Sequence, residues 1–167
     1  MEFYTFQQLQ QCDEIVEHRK IDRETIERQT LEHVTVISMI VAHCTFTRCT
    51  FSHVDFSDVS FLNCEFIDCE FDSSELYRAQ LTNCKITNMR WQSMMCTYVT
   101  LVDCFIEQLH VSKSEMECVQ FVGCTLQQPT FFKTAHEALV FSRCLLQQPS
   151  FEVANEQHIQ FHDTRIE

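Results

Sequence analysis

The sequence is short of the residues that build loops. Glycine occurs once and proline twice in 167 residues, against average usages of about 7% and 5%. A single glycine excludes glycine-rich phosphate loops and dinucleotide-binding fingerprints, which need several glycines at fixed offsets. No apolar run approaches the roughly 18 residues that a membrane-spanning helix needs. The first residues, Met-Glu-Phe-Tyr-Thr-Phe-Gln-Gln, carry neither a basic stretch nor an apolar one, which argues against a secretory signal. Basic residues are scarce too: 12 Lys and Arg stand against 24 Asp and Glu, a net charge of −12. Such an excess disfavours direct contact with nucleic acid, whose phosphates select Lys and Arg, and favours a basic partner. The expected setting is cytoplasmic, where cysteines remain thiols.

Phe and Cys are abundant instead, at 15 and 11 residues. Hydrophobic residues make up 45% and charged residues 22%, the balance of one globular domain. The apolar residues follow a period of five. From Phe46 the series runs Phe51, Phe56, Phe61, Phe66, Phe71, Leu76, Leu81, Ile86, Trp91, Cys96 and on to Ile166. Of its 25 positions, 23 are apolar; the exceptions are His136 and Glu156. Two residues earlier in each five runs a second series, opening Cys44, Cys49, Val54, Val59, Cys64, Cys69, and none of its members is charged. One small and one large inward residue, two apart, is the alternation of a very short strand. The other three positions turn a corner and meet water.

Period five fits neither a helix nor a long strand, but it fits a solenoid with several such units per coil. A second period gives the number of units. Cys44, Cys64, Cys84, Cys104, Cys124 and Cys144 recur every 20 residues, as do Pro129 and Pro149. Four units therefore make one coil, and residues 20 apart stack at roughly the 4.8 Å strand spacing. The unbroken spacing from Cys44 to Cys144 leaves no room for inserted loops.

The units Cys-Thr-Phe-Thr-Arg, Val-Asp-Phe-Ser-Asp, Cys-Glu-Phe-Ile-Asp and Ala-Gln-Leu-Thr-Asn resemble those of pentapeptide-repeat proteins. The resemblance covers residues 34–167 well and 16–33 weakly. It implies an all-β fold, a right-handed quadrilateral β-helix. We expect about seven coils over residues 21–167 and a short N-terminal cap over 1–20, with Phe6, Leu9, Ile15 and Val16 along one side of a short helix. Chain termination inside a repeat points to end-to-end dimerisation through the last coil, whose backbone edge is unpaired.

Catalytic, cofactor and metal sites are not expected. Cys44, Cys49, Cys64 and Cys69 would share a corner, and four thiolates can hold zinc; their spacing, however, is that of the repeat, and buried Cys packs as a small apolar residue. Seven of the eight His residues (His18, His33, His43, His53, His110, His158 and His162) fall on outward positions. His136 and Glu156 sit in one inward column. Either they pair inside the coil, or this side bulges and both face water. The irregular Ala135, Ala138, Ala154 and Asn155 favour the bulge. Trp91 reads as a packing residue whose bulk offsets the small Cys96.

The 20-residue period assigns charge to sides. The side holding 54–58, 74–78, 94–98, 114–118, 134–138 and 154–158 carries Asp55, Asp58, Glu75, Glu115, Glu117, Glu137 and Glu156 against one base, Arg78. Elsewhere acids stack on bases, as Glu65 with Lys85 and Glu70 with Arg90. On the acidic side Asp55 stacks on Glu75, and like charges opposite one another destabilise a ladder. These acids are the candidate partner-binding residues. The resemblance implies one function for them: family members that protect DNA gyrase and topoisomerase IV present an acidic rod that resembles duplex DNA, so the expected partner is a type II topoisomerase. The rival reading is a scaffold or secreted-effector module that binds protein through an apolar strip. Leu62, Val102 and Val122 share one outward column, and Phe105, Phe132 and Leu145 are outward by register.

Overall fold

One five-residue unit, repeated, builds the molecule. In residues 54–58, Val54 and Phe56 are buried while Asp55, Ser57 and Asp58 reach the surface. Asp55–Ser57 is the strand, and Asp58 turns the corner in the left-handed region at φ 54°. Four such sides close a coil, and each strand pairs in parallel with the strand 20 residues on. Phe56 thus lies opposite Val36 and Leu76. The computed structural model describes residues 1–12, 15–152 and 158–167, and forms a parallel β-solenoid of about eight turns.

The four sides are named by their inward columns. The first holds Val16, Val36, Phe56, Leu76, Cys96, Met116 and His136. The second holds Ile21, Val41, Phe61, Leu81, Leu101, Phe121, Phe141 and Phe161. The third runs from Ile26 through Phe46, Phe66, Ile86, Ile106, Leu126 and Leu146 to Ile166. The fourth runs from Leu31 through Phe51, Phe71, Trp91, Val111 and Phe131 to Phe151. Rings stack along a column and meet edge-on between columns. Phe46 and Phe66 are parallel at 5.0 Å, whereas Phe46 and Phe51 are T-shaped at 5.7 Å, both favoured aromatic geometries. Trp91 is fully buried and donates its Nε1–H to Met89 Sδ at 3.0 Å.

The corners explain how a chain with one glycine can turn at nearly every fifth residue. Among the described residues, twenty-seven non-glycine residues hold φ between 47° and 59°, at a strain on the order of 1 kcal/mol each. None is Val, Ile or Thr, whose branched Cβ fits this region worst; Asp, Asn, His, Ser and Arg predominate. Corner N–H groups along the solenoid are tied to the next coil, as Asp58 N to Tyr77 O at 2.9 Å. Gly123 takes the same conformation, and a Cβ there would run into the Asp103 carboxylate.

The small inward column has a hydrogen-bonding role as well as a packing one. Cys64 Sγ donates to Val41 O and Leu62 O, and Cys84, Cys104, Cys124 and Cys144 repeat the pattern. Ser74 does the same with a hydroxyl, towards Phe51 O and Asp72 O, and Ser114 donates to Ser112 O; both hydroxyls also accept from the preceding coil's backbone, at Val54 N and Met94 N.

The N-terminal boundary differs from the sequence expectation. Ile15–Glu17 and Lys20–Asp22 already lie in the parallel ladder, opposite Thr35–Ile37 and Ile40–Ala42, so stacking begins before residue 21. Val16 is therefore a strand residue. The short helix α1, Phe6–Gln10, is capped by Thr5, whose hydroxyl accepts from Gln8 N while Thr5 N donates to Gln8 Oε1. It lays Phe6 edge-on against Phe46 and Phe51 and buries Leu9, covering the open end of the core.

Candidate protein-binding face

Each strand of the first side sends two side chains outward around one buried residue. One outward column reads Asp55, Glu75, Met95, Glu115, Ala135. The other reads Ser57, Tyr77, Thr97, Glu117, Glu137, and the corners add Asp58, Arg78 and Tyr98. The structure thus brings six of the seven acids expected here onto one face; Glu156 lies outside the described residues. Asp58 is neutralised by Arg78, Oδ2 to Nη2 at 2.6 Å, and the Arg78 guanidinium lies 4.6 Å over the Tyr77 ring. Among the described residues Asp55, Glu75, Glu115, Glu117 and Glu137 form no ion pair. Asp55 stacks on Glu75, and Glu117 on Glu137.

Acids and bases on the third side behave differently. Lys85 Nζ reaches Glu65 at 3.0 Å, and Arg48 approaches Asp68 at 3.9 Å. On the fourth side Glu70 is in register with Arg90 as expected, yet no ion pair forms there.

A groove of about 300 Å³ crosses the lower part of the acidic side. Met95, Thr97, Glu115, Glu117, Ala135 and Glu137 line it, and Met95 is 49% exposed. The sequence reading passed over Met95 and Tyr98 because it counted charges; the 20-residue period already placed Met95 between Glu75 and Glu115.

His136 corrects the bulge expected on this side. It stays in the inward column on the extended strand Ala135–Ser142, opposite Met116, and is only 8% exposed. Neither ring nitrogen has a partner among the described residues. Burial lowers its pKa from the usual value, and nearby His158 adds to the effect. Whether Glu156 pairs with it falls outside the described residues.

Nine of the eleven cysteines are buried and all are free thiols. Burial, helped by the Glu75 carboxylate, pushes Cys96 up to about 12, so it is a packing group rather than a nucleophile. Among the described residues no group of three His, Cys, Asp or Glu side chains is placed to hold a metal, and no helix is long and apolar enough to cross a membrane. Of the outward histidines, six are exposed and His110 is half-buried. The apolar strip is discontinuous: Leu62, Val102 and Val122 are half-buried and interrupted by Thr82. Phe105 and Phe132 are exposed on different sides, and Leu145 is half-buried.

A coil of four five-residue sides defines a parallel β-solenoid. Residues 49–88 match the family model for pentapeptide repeats, in eight copies, which identifies that stretch as pentapeptide repeats, and the same five-residue unit continues through the described coils. Among solved structures, it resembles the pentapeptide repeat protein Rfr23 from the cyanobacterium Cyanothece 51142. That pair is 9% identical with a TM-score of 0.48, over 53% of this chain and 75% of the other. HetL, involved in heterocyst differentiation regulation in Nostoc sp. strain PCC 7120, is 11% identical with a TM-score of 0.38, over 89% and 85%. A trypsin-treated form of QnrB1, a plasmid-mediated fluoroquinolone resistance protein, is 12% identical with a TM-score of 0.34, over 92% and 91%. Identities and scores this low transfer no function. Comparison with curated proteins gives no match.

Proposed function

We propose that this chain is a non-enzymatic binding protein whose first side engages a basic DNA-binding protein, with a type II topoisomerase as the specific candidate. The observation that carries the reading is the set of five carboxylates on one face that form no ion pair among the described residues, while on the third side Glu65 and Asp68 each meet a base. A row of fixed negative charge set by coil spacing meets a surface built for phosphates, and such contacts steer association and fix register. The proposal extends to a second copy at the C-terminal end. There Pro149, Phe151, Ile159, Phe161 and Ile166 line an apolar hollow, and Phe161 and Ile166 are exposed.

The test is a DNA gyrase supercoiling assay with purified protein, with and without a quinolone. It is repeated with Asp55, Glu75, Glu115 and Glu117 changed to Lys. Protection or inhibition by the parent chain, lost in the variant, is the expected result. No effect at micromolar excess removes the topoisomerase as partner. Sedimentation at micromolar concentration checks the end-to-end pair, for which a mass of two chains is expected.

A further inference from the structure

The acidic side is not an uninterrupted row of charge. At the middle coil the outward positions carry Met95, Thr97 and Tyr98, with Asp55 and Glu75 on one flank and Glu115, Glu117 and Glu137 on the other. Met95 and Tyr98 are about half exposed. The groove beside Met95 is lined by Glu115, Glu117, Ala135 and Glu137 and, beneath them, by the buried His136, whose ring nitrogens have no partner among the described residues. An apolar centre with a charged rim is the anatomy of a protein-binding patch. A surface shaped only to imitate phosphates would carry a carboxylate at position 95, as it does at 75 and 115.

Spacing selects the partner's form. Stacked side chains on this face recur at roughly 4.8 Å. An α-helix laid along the stack presents one side chain per turn, about every 5.4 Å. Over the five levels from Asp55 to Ala135 the mismatch is roughly 2.4 Å by those two spacings, within reach of flexible Lys and Arg side chains.

We infer that the groove beside Met95 receives one apolar side chain of a basic amphipathic helix lying along the first side, with Lys or Arg one and two turns away on both flanks. This rests on the reading that the first side binds a basic partner, and it replaces imitation of a phosphate row by recognition of a peptide pattern.

Two fluorescent synthetic helices test it. One carries Leu at the centre of a Lys/Arg stripe with one basic residue per turn; the other carries Ser in place of that Leu. Binding to the full chain is read by anisotropy at 50 and 300 mM salt. Tighter binding of the Leu peptide by about tenfold or more is expected, with the preference persisting at 300 mM. Met95→Glu is an exposed change that extends the charge row. It should weaken the Leu peptide and leave the Ser peptide unchanged or tighter. Equal binding of both peptides, with Met95→Glu strengthening both, overturns the groove while leaving the acidic-side reading intact. Binding of neither peptide, or binding unaffected when Glu75 and Glu117 are changed to Lys, overturns both.

Discussion

The first and third sides share backbone, corner conformation and inward apolar columns, and differ in what they show to water. On the third side polar groups join across coils. Lys85 pairs with Glu65, Asn88 Nδ2 donates to Asp68 Oδ1 at 2.7 Å, and Gln127 passes a hydrogen bond to Gln147 and on to Glu167. On the first side Asp55 faces Glu75 and Glu117 faces Glu137 with no base between them. Because the fold is satisfied by either arrangement, folding does not dictate the charge pattern of the first side. A face that retains like-charge contacts where the side across the coil joins opposite charges is the place to look for binding.

The comparison can be broken at four depths. The deepest is the core, where the sides should behave alike. Phe66→Ala under the third side should lose roughly 3–5 kcal/mol, and Met116→Ala under the first roughly 2–5 kcal/mol, in urea unfolding. A loss under about 1 kcal/mol at Met116 would show that the core of the first side is loose. Next come the corners. Ser38→Val on the first side and Arg28→Val on the third each force a branched residue to φ near 53° and 52°, with an expected cost on the order of 1–3 kcal/mol. Glycine at either position should cost less, and equal effects of Val and Gly would remove the corner rule.

The third test belongs to the first side alone. Burial depresses the His136 pKa below its ordinary value of 6.5, so the folded chain keeps it neutral while the unfolded chain takes up a proton. Its contribution is full above about pH 6.5 and declines as pH falls below that. Thermal melts at pH 7.5 and 5.5 should show a drop that is smaller in His136→Leu. The smallest effects concern charge itself. Glu75→Lys should raise stability by a few tenths to about 1 kcal/mol, by facing Asp55, and Glu65→Lys should lower it by a similar amount, by facing Lys85. Both shifts should shrink in high salt, and shifts of the same sign would end the contrast between the sides.

The sequence carried the core almost completely, because the alternation of Cys64 and Phe66, or Val54 and Phe56, repeats from residue 44 to residue 131, and burial leaves little choice at those positions. The fourfold coil was legible from the cysteine spacing for the same reason. At the N-terminus the small column fails at Arg19 and Glu24, and that obscured strands held by backbone pairing, which side-chain pattern does not report. His136 was misread because a polar residue in an apolar column suggests distortion, whereas pairing with the preceding strand, Glu115–Val122, holds Ala135–Ser142 in line. For the candidate face, register brings the six described acids onto one side, but which acids find a base depends on side-chain reach. That is why Glu65 and Lys85 meet while Glu70 and Arg90 do not. The groove was missed because Met95 carries no charge to count.

The left-handed corners make the coil a device that counts residues. With one such residue at the end of nearly every described side, inserting or deleting five residues would turn everything downstream by a quarter of the circumference, and the core columns would still match. Across residue 88, such a change would carry Glu115, Glu117 and Glu137 to a neighbouring side and split the acidic row in two, whereas a change of 20 residues would keep the row and alter only its length. The fold therefore tolerates edits in steps of five, while any partner that reads along the first side tolerates them only in steps of 20.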